Sequence, residues 1–525
     1  MTWLGADRRM YPRDERSRNR LLRQVDWRFL LGEHRPARAV CFGDRRLASA
    51  LELVCDKVDL QPGGPPGSYD VAVASNPDQN VLRAASGALQ PGGSLFAQWL
   101  APPLTSAAVE ARLRRAGFEA ASSYWVWPLP MLASPRVWLP TDAPGALRYF
   151  HDSRPPVHGA AATLRRGALQ RALELGQRFG TLPICAVARK PGGPPDLVTT
   201  LRAHWKEWRL GATPASLSCL LLTGGHHVTR KVVALAFTEP DPEPRLVVKF
   251  ARVPSVATAL RREAAALEAL ERDLPDLTGV PRLVCFCDSA STRFLGQTPI
   301  TGTPLFALLR PDTYRDLALA ATDWLVRLAG RASPRPAAGW WGRLVQPVLD
   351  EFCASFANVV DPLLLEFTRS QLGQLPDMPL VFEHRDFWAG NVLMTSTGLG
   401  VLDWEDGEPR GLPALDLLYF LTDLAFFHDD AFTSRGFADS YRASLDSTTL
   451  TGRVRAECLA RYAQAVGLGT SQLSALRLLV WLWHACWEAR QLGGGDALRA
   501  DPRELRGIRF LDLWQEEARR AVCSS

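Results

Sequence analysis

The chain has 525 residues, enough for two to four domains with their own cores, and its 47% hydrophobic and 22% charged content is that of a globular protein. Net charge is +6, and the first forty residues, with ten Arg against five Asp and Glu, supply +5 of it. The remainder is near neutral, which excludes a broad polyanion-binding surface and, with it, a nucleic-acid partner. The basic start reads as a solvated helix face. Residues 1–40 lack the apolar stretch of a secretory leader. The apolar runs LPALDLLYFLTDLAFF and LRLLVWLWHACW are interrupted by Asp or too short to span a bilayer. The ten cysteines are scattered, and the close pair Cys285 and Cys287 lacks the second pair a zinc site needs. A cytoplasmic protein without membrane insertion is expected.

The first third alternates strands and helices. Arg38–Gly43 reads as a buried strand, followed by a helix over roughly 45–56 and a short strand near 57–61. Tyr69–Ser75 is a second buried strand. After a helix, Leu89–Gly93 turns into a strand over Ser94–Gln98, and a further helix ends at Arg115-Ala-Gly117-Phe118. This order predicts an α/β, doubly wound parallel sheet. Two Pro/Gly-rich stretches follow, QPGGPPGS at 61–68 and KPGGPPD at 190–196. The second comes after the apolar strand Ile184–Ala188 and marks the expected boundary, with one domain over 1–192 and another over 197–525.

Past that boundary, Leu197–Trp208 reads as an amphipathic helix. Strands are expected over Ser216–Thr223, Thr229–Phe237 and Arg245–Phe250, a long helix over 255–272, and strands over 282–287 and 293–298. From about 303 the pattern is mainly helical. The expectation is an α+β bilobal, protein-kinase-like domain, with a small lobe near 197–300 and a helical lobe over 301–525.

The chemistry concentrates between Val381 and Gly407. An apolar approach ends in His384-Arg385-Asp386, Asn391 follows five residues after the aspartate, and the strand Gly400-Val401-Leu402 delivers Asp403 seventeen residues after Asp386. Phosphoryl transfer from ATP needs such a set: a carboxylate to orient and deprotonate a hydroxyl, and an amide and a second carboxylate to hold Mg²⁺ against phosphates. The spacing matches the kinase catalytic loop H-R-D-x-x-x-x-N. Asp386 is thus the candidate base and Asn391 and Asp403 the candidate metal ligands. His384 and Arg385 are read as braces of the loop, and Asp416 as a buried acid hydrogen-bonded to it. Of 61 basic residues only five are lysine, so Lys249, at the end of an apolar strand, is read as needing an ammonium. It is the candidate phosphate clamp, with Glu263 as its helix partner. Gly224 and Gly225 lie between two strands where backbone approaches phosphates closely. Gln297 lies in the segment Phe294–Gly302, which reads as an adenine-binding hinge.

Residues 197–520 resemble the aminoglycoside phosphotransferase and choline kinase family, with 381–416 as the specific part. The resemblance implies a kinase-like fold, ATP and Mg²⁺ as cofactors, and transfer of the γ-phosphoryl group to a hydroxyl of a small molecule: a sugar, an amino alcohol or an aminoglycoside-like compound. Trp388 and Ala389 depart from the family's usual residues, and Asp423, Asp429 and Asp430 are candidates for an acidic acceptor pocket. Residues 36–190 resemble a class I S-adenosylmethionine-dependent methyltransferase domain, on RAVCFG, YDVAVASN, LQPGGSLF and LRRAGF in that order. The resemblance implies a glycine-rich first loop, but the chain reads Gly43-Asp44-Arg45-Arg46 there. Only Asp59 is placed for a ribose. A degenerate domain is therefore expected, one that does not use S-adenosylmethionine and serves as a docking platform for a protein partner. Two alternatives stand beside the kinase reading: a nucleotide-binding pseudoenzyme or scaffold, and a bifunctional methyltransferase-kinase.

Overall fold

The computed structural model describes residues 13–31, 35–100, 105–129, 133–152, 182–224, 231–289, 293–330, 338–432, 436–493 and 496–524. The chain divides into two compact units, Met1–Leu260 with Leu283–Pro299, and Arg261–Arg282 with Ile300–Ser525.

The first unit is built on one twelve-stranded sheet in the order β11-β12-β10-β9-β8-β6-β5-β7-β4-β3-β1-β2. Its doubly wound end comprises β1 (Arg38–Phe42), β2 (Lys57–Asp59), β3 (Tyr69–Ser75) and β4 (Leu89–Trp99), all mutually parallel. β3 reads YDVAVAS because both its faces are buried: Val71 and Val73 enter one core, Ala72 and Ala74 the other. Between the strands run α2 (Arg45–Leu51), α3 (Gln79–Ala88) and α4 (Ser106–Arg115), after an initial α1 (Arg13–Leu22). Asp44, Asp78 and Thr105 cap the N-termini of α2, α3 and α4. α2 stops at Leu51, short of the expected residue 56, and no regular element lies between Asp59 and Tyr69.

The sheet continues through strands the sequence pattern did not disclose, β5 (Ala120–Trp127) and β6 (Val137–Pro140). β7 (Ile184–Arg189) inserts antiparallel between β4 and β5. β6 then pairs with β8 (Leu217–Leu222) through Val137–Leu222 and Trp138–Leu221. Beyond β8 lie β9 (Val232–Thr238), β10 (Pro244–Phe250), β11 (Leu283–Asp288) and β12 (Arg293–Gln297), an antiparallel set. α5 (Pro144–Asp152) supplies Ala146 and Phe150 to the core on one face of β8 and β9, while α6 (Leu197–His204) packs on the other. One core on that second face runs from Ala39, Val71 and Phe96 to Leu246, Val248 and Phe250.

The basic N-terminal run is a solvated face only in part: Arg18 and Arg20 of α1 are exposed, but the segment that follows is not. Residues Arg23–Leu30 form a 3₁₀ segment buried along its whole length. Trp27 stacks on Phe96 of β4 at 4.5 Å, and Phe29 packs on Phe250 of β10 at 5.2 Å. Burying aromatic area on both ends of one sheet outweighs the solvation of the neighbouring charges, two of which, Arg23 and Arg28, go in with it. KPGGPPD is likewise packed: Lys190 Nζ donates to the carbonyls of Ser86 and Leu89, each at 2.9 Å. A Cβ on Gly92 would lie 2.3 Å from Gly193 Cα, so both turns need glycine at that crossing.

The second unit contains most of α7 (Ala257–Asp273) and the helices α8 (Tyr314–Ala329), α9 (Leu415–His428), α10 (Leu450–Val466), α11 (Thr470–Leu492) and α12 (Arg509–Ser524), among shorter ones. Two small sheets carry the catalytic segment: β13 (Thr303–Pro304), β15 (Val392–Thr395) and β16 (Gly398–Val401), and the pair β14 (Val381–Glu383) with β17 (Glu408–Gly411). Trp324, Trp404, Trp481 and Trp514 are fully buried core residues. Among the described residues no single helix is long and apolar enough to cross a membrane.

Candidate active site

Short strands set the catalytic segment. β14 ends at Glu383, and the chain then turns sharply, with Arg385 at φ +69°, in the left-handed region where non-glycine residues rarely sit. The turn is held from below by α9: the two carboxylate oxygens of Asp416 accept the backbone N–H groups of His384 (2.6 Å) and Arg385 (2.7 Å). Burial, and next the Glu383 charge, push the Asp416 carboxyl up to about 7, against those two donors. Arg385 Nε donates to Glu383 Oε2 at 3.1 Å, and Glu383 also accepts the Leu412 N–H. Two turns further along α9, Asp423 Oδ2 accepts the Ala389 N–H at 3.0 Å, and burial raises its carboxyl to about 7.

These braces present Asp386 and Asn391 to one another. Asn391 Nδ2 donates to Asp386 Oδ2 at 2.7 Å and to the Asp386 carbonyl at 3.0 Å. The Asn391 N–H closes the loop on the Trp388 carbonyl at 2.9 Å. The indole of Trp388 folds back over Gly390, where a Cβ would lie 2.2 Å from the ring.

His384 ties this loop to the strand that carries Asp403. Its Nε2 is 2.9 Å from the Leu402 carbonyl, which only accepts, and its Nδ1 is 3.2 Å from the Asp386 N–H, which only donates. The ring is therefore neutral with its proton on Nε2. Burial drives its pKa down to about 4, and it packs edge-on against Trp404 at 4.5 Å. Leu402 N–H in turn donates to the Asn391 carbonyl, and Asp403 follows at φ +60°. Asp386, Asn391 and Asp403 are thus brought onto one scaffold. Glu263, on α7, is fully buried and is among the charges that act on His384. Among the described residues no three His, Cys, Asp or Glu converge as a ready cation cage.

The remaining sequence-predicted residues lie in the first unit. Lys249 is buried near the end of β10, between Val233 of β9 and Leu295 of β12. Strand alternation puts it on the face opposite Leu246, Val248 and Phe250. Gln297, the last residue of β12, is buried, and its Oε1 has no hydrogen-bond partner among the described residues. A Cβ on Gly224 would meet nothing within 4 Å, so packing does not demand glycine there. Gly225 lies outside the described residues.

Residues 234–456 match the model of the phosphotransferase enzyme family, APH. The matched stretch contains Lys249, Glu263, Asp386, Asn391 and Asp403. Solved structures similar to the chain include a gentamicin–APH(2″)-IIa complex, 15% identical with a TM-score of 0.35, covering 61% of this chain and 99% of that one. Another is a choline/ethanolamine kinase family protein from Mesorhizobium loti, at 16% identity and a TM-score of 0.36, covering 61% and 97%. A third is a thermostable mutant of aminoglycoside phosphotransferase APH(4)-Ia in its apo form, at 14% identity and a TM-score of 0.38, covering 58% and 96%. Comparison with curated proteins finds no match.

Sequence reasoning missed Glu383, Asp423 and Trp404 as parts of the site's support. Asp423 was set aside for an acceptor pocket, but it is spent on the Ala389 N–H, and Asp429 on Ser440 Oγ at 2.7 Å. A signal was present for Glu383, an acid ending an apolar strand; its side chain lies over Gly411, where a Cβ would be 2.3 Å from Glu383 Oε2. At the parallel end of the large sheet, Asp44 occupies the N-terminus of α2, accepting from Arg46 N–H at 2.9 Å and Leu47 N–H at 3.1 Å. Asp59 is engaged by Tyr69 Oη at 2.8 Å.

Proposed function

We propose that the chain is an ATP:alcohol phosphotransferase that moves the γ-phosphoryl group to a hydroxyl of a small molecule. The observation that carries this is the Asp386–Asn391 contact, fixed on a loop whose backbone N–H groups are consumed by Asp416, Asp423 and His384. Such a loop holds its carboxylate in place from the backbone outward. The acceptor hydroxyl donates to Asp386, its oxygen forms the new bond to the γ-phosphorus, and the bond to the ADP oxygen breaks. The proton passes to Asp386. Asn391 uses Nδ2 to orient that carboxylate, which leaves its Oδ1 for a cation. Asn391 and Asp403 are hard oxygen donors that suit Mg²⁺, which takes one or two protein ligands together with substrate phosphates. Bound there, Mg²⁺ would neutralise charge on the phosphates. Lys249 is the residue we assign to the phosphates. The unpartnered Oε1 of Gln297 suits a donor on the base.

The test is ADP release from ATP and Mg²⁺ with sugars, amino alcohols and aminoglycosides as acceptors. At least one acceptor should stimulate turnover, and Asp403→Ala should abolish it while the thermal unfolding profile is kept. Wild-type-like activity in that variant would sink the reading.

A further inference from the structure

Thr223 directly follows β8 and precedes Gly224, and it is fully buried. Three bonds hold it. Its N–H donates to the Arg136 carbonyl at 2.8 Å, and its Oγ1 donates to the Pro135 carbonyl at 3.0 Å. Its own carbonyl accepts Arg252 Nη2 at 2.9 Å. Arg252 lies two residues past β10, the strand of Lys249, so this last bond ties the ends of β8 and β10 together across the start of β9.

Arg252 is in turn set by the N-terminal segment. Its Nη2 lies 3.0 Å from Asp26 Oδ2, with both side chains wholly buried, and its Nη1 donates to Asn19 Oδ1 at 3.1 Å. Arg28 closes the ring, reaching Asp26 at 3.2 Å and donating to the Arg252 carbonyl at 2.7 Å. Arg23 is buried nearby, and burial lowers both Arg23 and Arg28 to about 10. A cluster of three buried guanidiniums around one carboxylate is a poor way to gain stability, since each charge is stripped of water. Such arrangements serve where they fix one geometry among several. Each group that touches Thr223 is thus either part of the 1–192 stretch or oriented by it. Arg252 follows Phe250, which enters the core on the sheet face opposite Lys249 together with Trp27 and Phe29 of the N-terminal segment.

We propose that Asp26, Arg252 and Thr223 are positioning residues for nucleotide phosphates. The N-terminal segment fixes where Gly224 and the Lys249 strand stand, so the methyltransferase-like half is a working part of the ATP site. This rests on the phosphotransferase reading above.

The experiment compares MgATP with adenosine as probes of the full-length protein, by calorimetry well below each variant's unfolding midpoint. The variants are Asp26→Asn, Thr223→Val and the milder Asn19→Ala, which removes one acceptor from Arg252. Displacing the anchor should weaken MgATP about tenfold while adenosine, which has no phosphates, stays within about twofold. Asn19→Ala should move in the same direction by a smaller factor. Equal losses for both probes, or unchanged MgATP affinity in variants with lowered unfolding midpoints, would overturn the proposal and assign the cluster to stability alone. Wild-type protein that fails to bind MgATP would overturn the phosphotransferase reading itself, which separates the two failures.

Discussion

Two turns in this chain follow the same plan, a buried strand leading into a tight loop with an acid near its start, and they end differently. After β1, Gly43 takes φ +82° and Asp44 folds back to satisfy the N–H groups of α2. The anion-binding end of that helix is closed by its own side chain, the arrangement of a structural cap. After β14, backbone N–H groups are satisfied by Asp416 and Asp423, acids brought in from α9, and by His384. Asp386 meets Asn391 on the loop so held. A strand-to-loop turn keeps its chemistry when something else caps its backbone.

The largest effect should come from removing the half whose turn is closed. The core on one sheet face joins Trp27 and Phe96 to Leu246, Val248 and Phe250. A chain begun at Leu197 exposes that core, and insoluble or molten protein is the expected outcome by circular dichroism. Cooperative unfolding of such a chain would show the halves to be independent. We propose residues 192–197 as the join between two sequence patterns rather than between two folding units.

Asp416→Ala attacks the borrowed brace. It leaves two buried N–H groups unpaired, which should cost about 2–5 kcal/mol in denaturant unfolding and lower turnover more than it lowers ATP affinity. A loss below about 1 kcal/mol would mean the loop holds itself.

His384 gives the comparison a pH signature. Its folded pKa of about 4 lies below the ordinary 6.5, so the unfolded state takes up a proton first on acidification. Its contribution is complete above pH 6.5 and drains away as pH falls towards 4, by roughly 3 kcal/mol in total. Asp416 and Asp423, raised to about 7, act with the opposite sign over the same range. The readout is therefore the wild-type minus His384→Gln difference, which should shrink steadily from pH 6.5 to 4. A constant difference would show the ring is charged in the folded protein.

The smallest effect belongs to the closed turn. Asp44→Ala should cost about 1 kcal/mol, the worth of a cap. Neither it nor wild type should give heat with S-adenosylmethionine, and micromolar binding would reopen the bifunctional reading.

The catalytic segment was legible because its chemistry is local: Asp386, Asn391 and Asp403 are fixed by spacing within a stretch of eighteen residues. The strands from β8 to β12 were legible for a similar reason, as alternation and glycine punctuation bounded them to within a few residues. What escaped was long-range. β6 lacks alternation because all four of its residues are buried, and no spacing announces that it will pair with β8. The Arg-rich start concealed an aromatic anchor, since Trp27 and Phe29 among charges look the same in sequence whether exposed or buried. Asp423 was misplaced because a helical acid carries no sign of which loop it faces.

The central claim is that Asp386 acts on the acceptor hydroxyl from a loop held by its neighbours. The direct measurement is transfer of label from γ-³²P-ATP to the acceptor, in wild type and Asp386→Asn, alongside ATP affinity. The account predicts a fall in transfer of about a thousandfold or more in the variant, with ATP affinity within about threefold. Undiminished transfer from Asp386→Asn would contradict it.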